Sequence, residues 1–317
     1  MHACVTRTTA RPRHRMRQAA ALCAAAAALA IAGGATEASA ASGPFTLANT
    51  PVDRLAQSTG NLYWTSHYLN EFGPSSATIY RASKSNSPGL EQALYTEYQS
   101  GWFYFGDLTY ALTSEWYGYF VANYPSAGVS RIKRVPLTGG GAVTLAQSPS
   151  FVGMRDIVND GSFLYWADGG GLRKMSIAGG PVTTLVSSSS ITSVGLDASR
   201  VYFSLGASIR AISKSGGAST LQTTTSSTVT TLHVQADSAG TALYWGEQSA
   251  AIKRLSAGAV TTYQSPISGR RAWSVSFDGS RVLWTDCTYP NGNGCAVRKR
   301  QSLFTTTVAS GGVGADN

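Results

Sequence analysis

An all-β chain is predicted from three observations. The charged fraction is low, 13%, while Gly, Ser and Thr are plentiful, which suits short strands joined by tight turns. Nothing beyond the first forty residues indicates long amphipathic helices. An apolar-aromatic pair recurs six times, as Tyr63-Trp64, Tyr119-Phe120, Tyr165-Trp166, Tyr202-Phe203, Tyr244-Trp245 and Leu283-Trp284. The interval is about 40 residues with insertions, which is the period of propeller blades. The expected fold class is therefore a six-bladed β-propeller of four-stranded antiparallel blades.

The order inside each copy supports this. A turn precedes the pair, as in "NDGS" at Asn159–Ser162 and "DAS" at Asp197–Ser199. After the pair come a basic apolar strip such as "LRKMSIAGG" from Leu172 and a β-branched outer run such as "VTTL". Each copy thus reads as four short strands, and such sheets bury both faces by stacking around an axis. The second aromatic of each pair, Trp64, Phe120, Trp166, Phe203, Trp245 and Trp284, is expected to wedge between blades. Asp160, Asp197 and Asp278 suit Asx turns.

"FLYWAD…LRKMSIAGG" and "NLYWTS…IYRASKS" resemble the YWTD repeats of six-bladed propellers of the low-density-lipoprotein-receptor type, in their bacterial secreted variety. The resemblance covers residues 51–309. It implies that Asp168, Glu247 and Asp286, two positions after each Trp, are buried braces, which the sequence would pair with Arg or Lys of the third strand. Blades two and four depart from the pattern with Phe120-Val121-Ala122-Asn123 and Phe203-Ser204-Leu205, so the family's ligands do not carry over.

Residues 1–40 read as a signal peptide: Arg11, Arg13, Arg15 and Arg17, an Ala-rich apolar stretch, then Ala38-Ser39-Ala40 before the cleavage point. The apolar stretch is shorter than the ~20 residues of a membrane span. The expected product is a secreted, extracytoplasmic monomer without a transmembrane anchor, with residues 41–309 as one propeller and 310–317 as a flexible tail. The formal charge is +9, and with the leader removed it falls to +5 by loss of five Arg and one Glu. The remaining basic residues are scattered, which argues against nucleic acid as a partner. Cys287 and Cys295 in "CTYPNGNGC" are expected to form a disulfide, since that loop holds no His and an exported chain favours the bond.

The copies differ between the anchor aromatic and the third strand. The distance is long from Trp64 to Ile79, Phe120 to Ile132 and Trp284 to Val297, and short in the other three. Long loops in blades six, one and two would lie side by side in a ring, on one face. They carry aromatics with amide neighbours, a composition used by adaptable binding loops. The predicted binding residues are His67, Tyr68, Trp102, Tyr124, Tyr289 and Asn291. The expected function is non-catalytic binding of a glycan, a peptide or an extracellular protein. The alternative is a lactonase-like hydrolase or lyase at the channel mouth, for which Arg155, Asp156, His233, Arg270 and Arg271 are candidates. These form no recognised catalytic set, and there is no H-E-x-x-H, G-x-S-x-G or P-loop motif. No metal or cofactor is expected.

Overall fold

In the computed structural model the described residues are 54–57, 61–68, 75–83, 91–112, 116–148, 150–237, 240–277, 282–288, 296–301 and 304–310. The predicted leader, the cleavage point, Asp278, Tyr289, Asn291, Cys295 and residues 311–317 lie outside them.

The chain forms six separate four-stranded antiparallel sheets, each in simple sequence order. Sheet one holds β1 (Arg54–Gln57), β2 (Asn61–Tyr68), β3 (Ser75–Ser83) and β4 (Gln92–Gln99). Sheet two holds β5 (Tyr104–Leu112), β6 (Trp116–Tyr124), β7 (Val129–Pro136) and β8 (Val143–Gln147). Sheet three holds β9 (Ile157–Asn159), β10 (Phe163–Asp168), β11 (Gly171–Ser176) and β12 (Thr183–Ser187). Sheet four holds β13 (Val194–Leu196), β14 (Arg200–Ser204), β15 (Ser208–Ser213) and β16 (Thr220–Thr224). Sheet five holds β17 (Val229–Asp237), β18 (Gly240–Glu247), β19 (Ile252–Ser256) and β20 (Ala259–Gln264). Sheet six holds β21 (Arg270–Phe277), β22 (Val282–Thr288), β23 (Ala296–Gln301) and β24 (Phe304–Ser310), so the run from Phe304 is its fourth strand and Ser310 ends that strand.

The aromatic pair falls on the second strand of every sheet. Adjacent residues of a strand point to opposite faces. The pair therefore serves two interfaces. Trp166 packs with Tyr119 of the preceding sheet, Phe203 with Tyr165, Trp245 with Tyr202, and Trp284 with Tyr244. Phe120 packs with Tyr63 in the same way. All six anchor aromatics are buried.

First strands of successive sheets also touch, from β1 on β5 through to β17 on β21. Polar side chains tie these junctions. Asp107 accepts Ile157 N–H at 3.2 Å, and Asp156 accepts Val194 N–H at 2.8 Å. Ser193 Oγ accepts Leu232 N–H at 2.9 Å, and Thr230 Oγ1 donates to the Ala272 carbonyl at 2.8 Å. These bonds satisfy buried backbone groups that the first strands, as sheet edges, leave unpaired.

The turn acids close Asx turns. Asp160 accepts Ser162 and Phe163 N–H, and Asp197 accepts Ser199 and Arg200 N–H. The Tyr of the pair then donates its hydroxyl to the same carboxylate, Tyr165 to Asp160 at 3.0 Å and Tyr202 to Asp197 at 2.7 Å. Although burial opposes ionisation, these bonds hold both carboxyls below the usual carboxylate range.

Candidate functional site

The end of each sheet where its second strand turns into its third is built differently in sheets one and two. Residues between anchor and third strand were expected to be loop, but most of them are strand. In sheet one the β2–β3 ladder continues past Trp64 to Tyr68 opposite Ser76. In sheet two the β6–β7 ladder continues to Tyr124 opposite Val129. Only Pro125–Ala127, one 3-10 turn, and Gly128 join those strands. Gly128 takes φ +69°, the left-handed conformation that closes the turn without a Cβ clash. The physical reason is two-sided burial: β6 is buried without a break from Gly118 to Tyr124, so both faces stay covered and the pairing persists.

Tyr124 is accordingly not an exposed loop residue. It is 3% exposed and belongs to the core between sheets one and two. Its ring stacks on Phe103 at 5.7 Å, and its hydroxyl donates to Glu97 Oε1 at 2.8 Å. Glu97, on β4, is the centre of a polar cluster. Lys133 Nζ lies 2.6 Å from its Oε2, with both side chains at or below 10% exposure. Tyr95 donates to the same carboxylate at 2.8 Å, and Gln99 Nε2 at 3.0 Å. Burial alone would raise the Glu97 pKa, but the bonds from Lys133, Tyr124 and Tyr95 outweigh it and hold the carboxyl below its ordinary value. Burial, and then donation to Glu97, push both tyrosine hydroxyls far above theirs.

In sheets three, five and six the third-strand cation takes its acid from its own sheet. Arg173 pairs with Asp168 at 3.1 Å, Lys253 with Glu247 at 2.9 Å, and Arg298 with Asp286 at 2.7 Å, where Arg270 also pairs. These acids are the buried braces the sequence suggested. Lys133 is the equivalent cation of sheet two, whose second strand offers Ala122 in place of an acid, so its partner comes across from sheet one.

Around this cluster the extended hairpin of sheet one carries aromatics on both faces. His67 and Tyr68 were expected in one patch, but as neighbours on a strand they face opposite ways. His67 lies 6.4 Å from the Tyr104 ring, and Tyr104 lies 6.1 Å from Trp102, so three rings line the side facing sheet two. Trp102 is 54% exposed, and its backbone N–H donates to Ser126 Oγ at 2.8 Å. Gly101 permits this approach, since a Cβ there would meet the Ser126 Cβ at 2.7 Å. On the other face, Tyr68 and Tyr98 stand on either side of Ser76 in register and are 65% and 68% exposed. Tyr98 and Glu97 were not singled out from the sequence. The signal was present: the fourth strand of this copy reads "YTEYQ", where the other copies carry Thr-rich runs.

The channel candidates are distributed. Asp156 is used by Ser193 and Val194, and Arg270 by Asp286. Arg155 is exposed. His233 lies beside Tyr244 with its Nε2 enclosed and lowered in basicity by burial. Among the described residues no three His, Cys, Asp or Glu side chains group to hold a metal ion. What the sheet-one end offers chemically is ring faces with hydroxyl and amide neighbours.

No family model and no curated protein matches the chain. Among solved structures it is similar to a domain described as the extracellular part of a one-component system, BT4673, from B. thetaiotaomicron. The TM-score is 0.50 at 11% identity, over 65% of this chain and 28% of that one. This likeness concerns fold alone, and the chain spans little more than a quarter of that protein chain. Among the described residues no helix is long and apolar enough to cross a membrane.

Proposed function

We propose that the six sheets are the blades of a six-bladed propeller of the YWTD type, exported by its leader, which binds a ligand through the extended strand end of sheets one and two. The observation that carries the binding reading is the placing of Tyr68, Tyr98 and Trp102 there, each more than half exposed. Large exposed aromatics beside amides and hydroxyls are the usual anchors of binding surfaces. Their support is rigid: extended ladders, a buried ion pair and a stacked aromatic core hold the backbone beneath them. The extracellular origin of the similar solved domain agrees with a role outside the cytoplasm. The ring reading is supported by the five successive junctions, each with the same Tyr-to-Trp or Tyr-to-Phe packing. A glycan and protein array probed with the chain beginning at Ala41 tests the binding reading. Binders of this end should be weakened about ten-fold or more by Trp102→Ala or Tyr98→Ala and left unchanged by Ser199→Ala at the opposite end. Binders indifferent to all three substitutions would move the site to the channel.

A further inference from the structure

Resting on that reading, we infer that the face of sheet one bearing Tyr68, Ser76 and Tyr98 is a subsite for a neutral, extended glycan chain. The two faces of this hairpin differ in chemistry. The face toward sheet two carries Glu97 and the cations Lys133 and Arg131 packed against it, with Arg131 over the Tyr124 ring at 4.6 Å. On the opposite face the register aligns Tyr68, Ser76 and Tyr98, and behind them Ser66, Thr78 and Thr96. The next row inward is Trp64 stacked on Tyr80 at 5.6 Å. From that stack to the strand ends, the face holds two exposed phenol rings, hydroxyl groups and no charged or aliphatic side chain among the described residues.

Charge matching therefore selects a neutral ligand, although the chain as a whole is basic, at +9. Among the described residues of this face there is no aliphatic side chain, which disfavours a peptide, whose apolar side chains need pockets. Rings that stack on apolar sugar faces, next to hydroxyls that exchange hydrogen bonds, match a carbohydrate. Spacing sets its shape. Tyr68 and Tyr98 are two interstrand steps apart, about 10 Å. That leaves room for one sugar unit over Ser76 between two others stacked on the tyrosines. An extended β-linked chain, in which alternate units present the same face, meets both rings, whereas a coiled α-linked chain does not. The Thr78–Thr96 hydroxyl contact, at 3.0 Å, fixes the strands beneath.

The test is calorimetric titration with cellohexaose and chitohexaose, using maltoheptaose as the coiled control. One or both β-linked chains should bind, with an affinity unchanged between low and about 1 M salt because no ion pair is formed. Tyr68→Ala and Tyr98→Ala should each weaken binding about ten- to hundred-fold, while Tyr68→Phe and Tyr98→Phe keep most of it and Ser199→Ala, at the opposite end of the sheets, leaves it intact. Both tyrosines are exposed, so the variants should fold as the parent does. Binding of neither β-linked chain, equal binding of maltoheptaose, or an affinity that neither Tyr68→Ala nor Tyr98→Ala changes overturns the inference. If array ligands of another class still depend on Trp102, the general binding reading survives this failure. If no ligand depends on any of the three aromatics, both fall.

Discussion

Glu97 is kept ionised by its partners, and the consequences for pH follow from the sign of its shift. Its folded pKa lies below the ordinary 4.5, so its contribution to stability is fully present above that value. The contribution is lost as pH falls through the lower folded value. Lys133→Met removes the partner and leaves a buried carboxylate without its counter-charge, which should cost about 3–5 kcal/mol at neutral pH. The same change should start acid unfolding at a higher pH, and adding Glu97→Leu should recover most of the loss, because an apolar pair carries no desolvation penalty. Denaturant unfolding of the three variants at pH 7 and pH 4 measures this. A loss below about 0.5 kcal/mol for Lys133→Met would mean that the pair is solvated. Tyr124 belongs to the same cluster. Tyr124→Phe should lose about 1.5–3 kcal/mol with the hydrogen bond to a charged group, and Tyr124→Ala about 3–5 kcal/mol with the ring as well. Unfolding midpoints of the two variants decide whether Tyr124 is core, because an exposed loop tyrosine would change stability by about 0.5 kcal/mol or less. Its burial was not legible in "NYPSAG", where Asn, Pro, Ser and Gly signal a surface turn. The group that satisfies its hydroxyl is 27 residues away, on another sheet.

At the scale of strands, the second-strand aromatic pairs, the Gly-Gly turns and the acids after Trp were all readable, because each depends on a local pattern repeated in several copies. The ends of the hairpins were not. Counting from the anchor to the next apolar residue measures loop and strand together, and "FVANYP" alternates in a way that fits either. The deciding factor is whether both faces find cover, which depends on the neighbouring sheet. Sheet six has the third long interval. β22 ends at Thr288, β23 begins at Ala296, and Cys287 is buried at 4% exposure. The expected Cys287–Cys295 bridge spans this hairpin, with Cys295 outside the described residues. Intact mass and peptide mapping without reductant should find the two cysteines joined. Cys287→Ser should then lower stability by about 2–5 kcal/mol. Two alkylatable thiols in the denatured, unreduced chain beginning at Ala41 would exclude the bridge.

For the whole molecule, Trp64 is the residue that reports on what meets the outer face of sheet one. At five junctions a Tyr of one sheet packs with the anchor aromatic of the next. Trp64 is the sixth anchor. Its cluster among the described residues holds only Leu62, Ala82 and Tyr80 of its own sheet, yet it is 1% exposed. In a closed ring its cover would be the face of sheet six that carries Leu283 and Thr285, the alternate face to Trp284. Closure of this kind makes the first and last sheets as dependent on each other as any other neighbours. Trp64→Ala should then cost about 3–5 kcal/mol, as much as Trp166→Ala inside the series, because both leave a cavity between two sheets. Leu283→Ala should be coupled to it: the double variant should lose less than the sum of the singles, by about 0.5 kcal/mol or more, as expected of residues in contact. The pair Trp166 and Leu283, on non-adjacent sheets, is the control and should be additive. Equilibrium unfolding of the singles and doubles gives these values. Additive losses for Trp64 and Leu283, with Trp64→Ala well below Trp166→Ala, would show a row of sheets that does not close. The ligand face on Tyr68 and Tyr98, which continues the Trp64 face outward, would then have no opposite wall.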